Sequence, residues 1–425
     1  MSRGKNGKCL IRGCYGCFTF VFLPLVSLIA VIYFINMRTI TVKVPPYPHI
    51  PVNGYSDFVQ AGRMTEEMKH LNPSDMPSAP PYTLSQYALA YQDARPALAL
   101  MKSALHKPCL GPSERSLNFN WSHFALLRNL ARVVSDSAEY EFRIGHPYKA
   151  AQLNLDGMEM AALTAHGGAP LNYLVSEAID AIDRWGMEKN LPLLTADQLA
   201  VVVKRWGAIE RQWPGLQDIV LEEGNVATSQ NIQIVEGQRK EFLKHPSSFF
   251  SSYYIGRIFG RSIPWNEYIE YLFQDKNKII RDNQEFYRRL AIEMQSSNRP
   301  PVITGRPHNL LMTKRGAPMC DFIWKDYLYN TAYHELLKTE AAIYLFKKRA
   351  GHYPQSLQAL VPRYLSSVPE DPFNQGKPLI YHSGLGGKKF LLYSIGPDQV
   401  DNGGQPMKRP GWPDKGDMVA GYLRD

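Results

Sequence analysis

The sequence predicts an α+β protein that is mostly α, with an N-terminal transmembrane helix, a helical bundle or repeat-like middle domain and a small C-terminal helix-plus-antiparallel-sheet unit. Three observations predict it. Residues 17 to 37 carry no charge, apolar residues recur at helical spacing from Leu84 to about Trp213, and strand-like stretches flank a glycine-rich loop near the C-terminus. At 425 residues and 44% hydrophobic, the chain is long enough for two or three packed units, since domains usually run to about 100–200 residues.

Residues 1–16 form a basic tail with Arg3, Lys5, Lys8 and Arg12 and no acid. The run 17–37, CFTFVFLPLVSLIAVIYFINM, has the roughly 20 apolar residues that a bilayer-crossing helix needs. Pro24 within it removes one backbone donor, which membrane helices tolerate. Beyond it only Arg38 and Lys43 are close, so the positive-inside rule sets the N-terminus in the cytoplasm. The expected location is a bacterial inner membrane, crossed once, with the bulk periplasmic or otherwise extracytoplasmic. A cleaved signal peptide is the rival, but its apolar core is usually about 7–15 residues and a small-residue cleavage site follows it. No such site follows Met37, and no cysteine follows the run to accept a lipid directly.

The net charge of +9 draws four charges from this tail, and the rest are scattered among acids. No basic stripe with interleaved aromatics is present, so nucleic-acid binding is not expected. Cys14 and Cys17 form a lone C-x-x-C without a second ligand pair. Cys109 and Cys320 would be free to pair in an oxidising compartment, which sequence leaves open.

Residues 38–82 read as stalk and linker, with four prolines in TITVKVPPYPHIPV and a second break at NPSDMPSAPPY. Residues 83–320 read as an extracytoplasmic helical domain. Leu171, Leu174, Val175, Ala178, Ile182 and Trp185 share one helical face, predicted to be buried. Leu199, Val202, Val203 and Trp206 repeat the device behind Thr195 as N-cap. Turns at Gly145–Pro147, Gly167–Pro170 and Asn190–Thr195 divide these helices. Ala131, Ala138, Gly145 and Ala150 have the small-residue spacing of a tetratricopeptide-like hairpin, in one copy only. Longer polar helices are expected at 216–245 and 265–297, and a further one from about Asp321 to Arg349 opens the C-terminal unit, 321–425.

Catalytic motifs are missing or broken. His334-Glu335 starts an H-E-x-x-H, but Lys338 stands where the second histidine belongs. Glu66-Glu67 and Glu222-Glu223 point apart on a helix and read as solvated faces. Glu177, Asp180 and Asp183 could do acid–base work only if a cleft raised one pKa. No small-molecule substrate is identified. In GPDQVDNGG, Asp398 and Asp401 stand beside Asn402, Gly403 and Gly404, with Asp414 and Asp417 beyond. Oxygen-rich side chains on a glycine-loosened backbone suit calcium. Lys408, Arg409 and Lys415 oppose it, so a plain turn-rich loop is the alternative.

The stretch from about 335 onward resembles the C-terminal domain of the major pseudopilin of bacterial type II secretion. The residues that carry the likeness are Gly351 to Pro354, Leu357 to Leu360, Asp371 to Phe373 and Ser394 to Asp398, in the family's order. The resemblance implies a long helix packed by its Leu337/Tyr344 face on a small sheet, and calcium at Asp398, Asp401 and Asp417. The family's membrane end is absent: Gly16-Cys17-Phe18 replaces the peptidase site, and Val21 or Phe22 stands where a glutamate belongs. Residues 38 to 320 also interrupt what is one continuous helix in a pilin. The expected function is therefore a membrane-anchored, extracytoplasmic binding or scaffolding protein of a bacterial envelope, non-catalytic, with a protein partner in a type II secretion or pilus-like system. An envelope hydrolase whose acids assemble only in three dimensions is the alternative.

Overall fold

The computed structural model describes residues 22–66, 68, 83–251, 253–258, 262–295, 304–313, 318–384, 389–407 and 415–420. The helix α1 (Leu23–Met37) is apolar on all sides, with Pro24 in its first turn. Leu25, Val31 and Phe34 stand exposed on it, and only Ile32 and Asn36 are buried. Among the described residues no helix is long and apolar enough to cross a membrane. Positions 17–21 of the predicted span lie outside them.

The helices α2 (Gly54–Glu66), α3 (Leu84–Ala104) and α4 (Ser122–Arg143) pack together around Phe58, Ala97, Met101, Leu127 and Leu130. A capping box at Thr83 and Gln86 starts α3. The chain continues through α5 (Pro147–Thr164), α6 (Pro170–Glu188) and α7 (Ala196–Glu210), and the three predicted turns fall between these helices. Ala138 and Ala150 meet at the α4–α5 contact, as their small size allows. Thr195 caps α7, its side chain accepting from the Gln198 amide, and Leu199, Val202, Val203 and Trp206 are all buried.

The predicted face of α6 is corrected. Leu171, Ala178 and Trp185 are exposed, and Leu174, Val175 and Ile182 are only half-buried. The buried face instead holds Tyr173, Ser176, Ile179, Asp180, Asp183, Arg184 and Met187. The helix is enclosed by α4, α5 and the last long helix at once, and its polar side is tolerated there because Asp180 and Arg184 find partners.

Next come α8 (Leu216–Lys244) and α9 (Tyr253–Ile258). The long helix expected at 265–297 is two: α10 (Trp265–Phe273) and α11 (Lys276–Glu293). Asp275 divides them by accepting the Asn277 and Lys278 amides as an N-cap. Glu222 is not merely solvated either, since it holds Arg115 in a fork of 2.8 and 2.7 Å that ties an early loop to α8.

A short helix α12 (Leu310–Thr313) precedes α13 (Pro318–Ala350). Gly351, at φ +80°, accepts the left-handed turn that stops α13, its amide bonding to Lys347 O at 2.8 Å. The sheet that follows is antiparallel in the order β1 (Ile380–Ser383), β2 (Phe390–Ser394), β3 (Met418–Val419), with Ile380 opposite Tyr393 and Tyr393 opposite Val419. Tyr344 of α13 meets Phe390 of β2 edge-on at 5.6 Å. One apolar cluster runs from Leu155 and Trp206 through Leu336 and Ile343 to Leu392 and Met418, so the core is continuous from the helices into the sheet.

Candidate functional site

The helices α6, α7 and α13 bury a polar seam. His334 of α13 sits between two partners: Trp206 Nε1 donates to its Nδ1 at 3.0 Å, and its Nε2–H donates to Asp180 Oδ2 at 3.1 Å. The tryptophan donor fixes the tautomer. Asp180 Oδ2 also accepts from Arg184 at 2.6 Å, one turn along α6. Arg184 donates in addition to Asn330 Oδ1 and lies 4.8 Å over the Tyr333 ring. Burial alone would raise the Asp180 carboxyl, but His334 and Arg184 hold it below its usual range.

The three acids singled out on α6 therefore separate. Asp183 is fully buried, neither of its oxygens has a hydrogen-bond partner among the described residues, and burial with the nearby Asp180 raises its carboxyl well above the usual range. It packs on Gly157 of α5, where any Cβ would overlap its carboxyl group. Glu177 is also pushed well up by burial, although the Tyr173 hydroxyl bonds to it. Of the three acids, the charged partners thus hold one low while burial raises the other two.

Beside this seam lies a cavity of about 140 Å³ walled by Tyr173, Trp213, Tyr327, Asn330, His334 and Glu335. The Tyr173 and Trp213 rings meet edge-on at 5.6 Å. Glu210 also lines it, and Trp213 Nε1 and Glu210 Oε1 are buried there without partners among the described residues. The broken H-E-x-x-H has a structural reason, because Lys338 bridges Glu210 at 2.7 Å and Glu335 at 2.9 Å. Burial raises Glu335 against that lysine, and Glu210 adds to the rise. On the other side of Arg184 is a second cleft, of about 240 Å³, lined by Trp185, Tyr329, Tyr333, Leu337, Met407 and Asp417 among others. Trp185 is 59% exposed at its edge.

The predicted calcium ligands do converge, but as acceptors for their own loop. Asp417 takes the Asn402 amide at 3.2 Å and the Gly404 amide at 2.7 Å, Asp398 takes Val400 and Gly416, and Asp401 takes Gly403 and the Tyr393 hydroxyl. Burial, with the like charges of Asp401 and Asp398, raises the Asp417 carboxyl. Among the described residues no group of three or more His, Cys, Asp or Glu is placed to hold a metal ion. Asp414, Lys408 and Arg409 lie outside the described residues, as do the Cys320 side chain and hence its pairing with Cys109.

Sequence reasoning named Asp180, Asp183 and His334 but missed Arg184, Asn330, Trp213 and Tyr173. The one signal available was the opposite charge of Asp180 and Arg184 at i,i+4. No family model matches the chain, and comparison with curated proteins and with solved structures gives no match.

Proposed function

We propose that the chain is a single-pass inner-membrane protein of a bacterial envelope, N-terminus cytoplasmic, whose extracytoplasmic body binds or scaffolds a protein partner alongside a type II secretion or pilus-like system. The observation that carries it is α1: an apolar helix most of whose side chains, Phe34 at 70% exposure among them, stand exposed. Apolar surface of that extent on one helix calls for lipid. The tested outcome is extraction of membranes from cells expressing the full chain. It should stay in the pellet through alkaline carbonate, and release into the supernatant would overturn the anchor.

The binding role is supported by the open aromatic cleft of Trp185, Tyr329 and Tyr333, large rigid side chains of the kind that anchor interfaces. A photo-crosslinking residue in place of Trp185 should give discrete adducts with envelope proteins, and their absence would count against it. The hydrolase reading is favoured by Glu210 and Glu335 facing one cavity, where burial raises the Glu335 carboxyl. It requires that Glu335→Gln abolish a turnover that the parent chain shows on an envelope polymer. Calcium at Asp398, Asp401 and Asp417 is tested by chelation: a ligand bound only by the folded chain must raise its melting temperature, so an unchanged one removes the proposal.

A further inference from the structure

The helix α10 carries an exposed stripe that nothing described in this chain covers. Trp265, Ile269 and Phe273, at i, i+4 and i+8, are 56, 47 and 45% exposed. Tyr268, Tyr271 and Leu272 fill the adjacent buried face, and Asn266 and Glu270 stand exposed beyond the stripe. The stripe extends over about 12 Å at 1.5 Å per residue.

Its position relative to α1 decides what covers it. Asn36, in the last turn of α1, donates to Leu272 O of α10 at 2.7 Å and to Ile32 O at 2.8 Å. Arg38 pairs with Asp275 at 3.1 Å, and the Thr41 amide donates to Asn277 Oδ1 at 2.7 Å while Asn277 returns a bond to Thr39 O at 2.9 Å. Ile32, Tyr268, Tyr271 and Leu272 share one apolar cluster. The end of α1 and the residues just after it are thus held by polar bonds to the C-terminal end of α10 and the start of α11.

We infer that α10 is a second membrane contact, an interfacial helix whose Trp265–Ile269–Phe273 face lies at the headgroup level of the leaflet from which α1 emerges, fixing the body's orientation on the bilayer. This rests on the membrane-anchor reading of α1. The occupant is lipid because α10 lies beside the C-terminal end of α1, with Ile32 and Leu272 in one apolar cluster and Asn36 bonded to Leu272 O, and because a tryptophan at one end of an apolar face suits the headgroup boundary. The Trp265 ring is held 5.7 Å from that of buried Tyr268, so it is presented rather than free to swing inward.

The test uses the full chain in vesicles of phosphatidylcholine and phosphatidylglycerol with brominated acyl chains. The protein has seven tryptophans, so Trp265 emission is taken as the difference between parent and Trp265→Phe. That component should be blue-shifted, quenched by the brominated lipid and shielded from aqueous iodide, and Ile269→Asp should reverse all three effects without unfolding the chain, as read by its melting temperature. If the chain stays in the vesicles through alkaline carbonate but the Trp265 component is quenched by iodide alone, α10 faces water and the inference fails while the anchor stands. Shielding from both quenchers means a protein, such as a second copy, covers the stripe, which also overturns it. Loss of the chain from the vesicles overturns the anchor and this inference together.

Discussion

Replacing Asp180 by asparagine should be among the most damaging conservative changes in the chain. The carboxylate is fully buried, and the same oxygen takes Arg184 at 2.6 Å and His334 at 3.1 Å. Asparagine keeps the shape but removes the charge at 2.6 Å from the buried Arg184 guanidinium, which the neutral Asn330 and the Tyr333 face do not replace. Breaking a buried ion pair by removing one partner typically costs about 3–5 kcal/mol, because the remaining charge is uncompensated. Unfolding of the full chain by urea in detergent, followed by tryptophan emission, reads this directly, since Trp206 bonds to the same histidine. Asp180→Leu combined with Arg184→Met should recover part of the loss by removing both charges. The pH dependence follows from the lowered Asp180 carboxyl. Its stabilisation is complete above the ordinary aspartate pKa of about 3.9 and disappears as pH falls through its own lower value, a slope that Asp180→Asn should lack. A loss of about 1 kcal/mol or less in Asp180→Asn, the level of an exposed pair, would refute the reasoning.

Asp183→Asn should behave oppositely: its raised carboxyl means stability falls as pH rises from the ordinary aspartate pKa toward the raised one. The variant is expected to match the parent near pH ~4 and to exceed it at neutral pH in the same urea assay. In the C-terminal unit, Asp371 accepts from Ser394 Oγ at 2.7 Å, Ile395 N at 2.8 Å and Phe373 N at 2.9 Å. Asp371→Ala strands these donors at about 1–3 kcal/mol each, so a total of several kcal/mol should appear as a lower melting temperature. Lys276, buried at the start of α11 and bonded to the Tyr271 and Gln274 carbonyls, has its pKa pushed down to about 7 by burial. The unfolded chain then binds more protons between about pH 7 and the ordinary lysine pKa of about 10.4, so parent stability should rise across that window and Lys276→Met should flatten the rise.

Much of the helical order was legible because turns announce themselves locally. Thr195 with Gln198, Gly351 with Pro354, and the Gly145–Pro147 break each act within a few residues. The α7 stripe was legible too, since Leu199, Val202, Val203 and Trp206 are all buried in the one large apolar cluster. The break at Asp275 was not, because a capping aspartate inside a charged run looks like any other surface acid. The site was less legible still: Trp206, His334 and Asp180 lie far apart in sequence and on three helices, so no spacing rule joins them.

The misreading of α6 carries the most information. Periodicity assigns the apolar face of a helix to the core, and that rule assumes the polar groups prefer water. On α6 the preference is inverted, since Asp180 and Arg184 satisfy each other and reach His334 and Asn330. With the polar face occupied inward, Leu171 and Trp185 are left outside at 39 and 59% exposure. Local rules fail where a surface is kept for something other than folding. The failure on α6 places Trp185 at the lip of the cleft shared with Tyr329 and Tyr333, with Arg184 joining that cleft to the buried seam. A ligand that moved Arg184 would therefore be felt at Asp180 and His334, which gives the binding reading a physical route from surface to core.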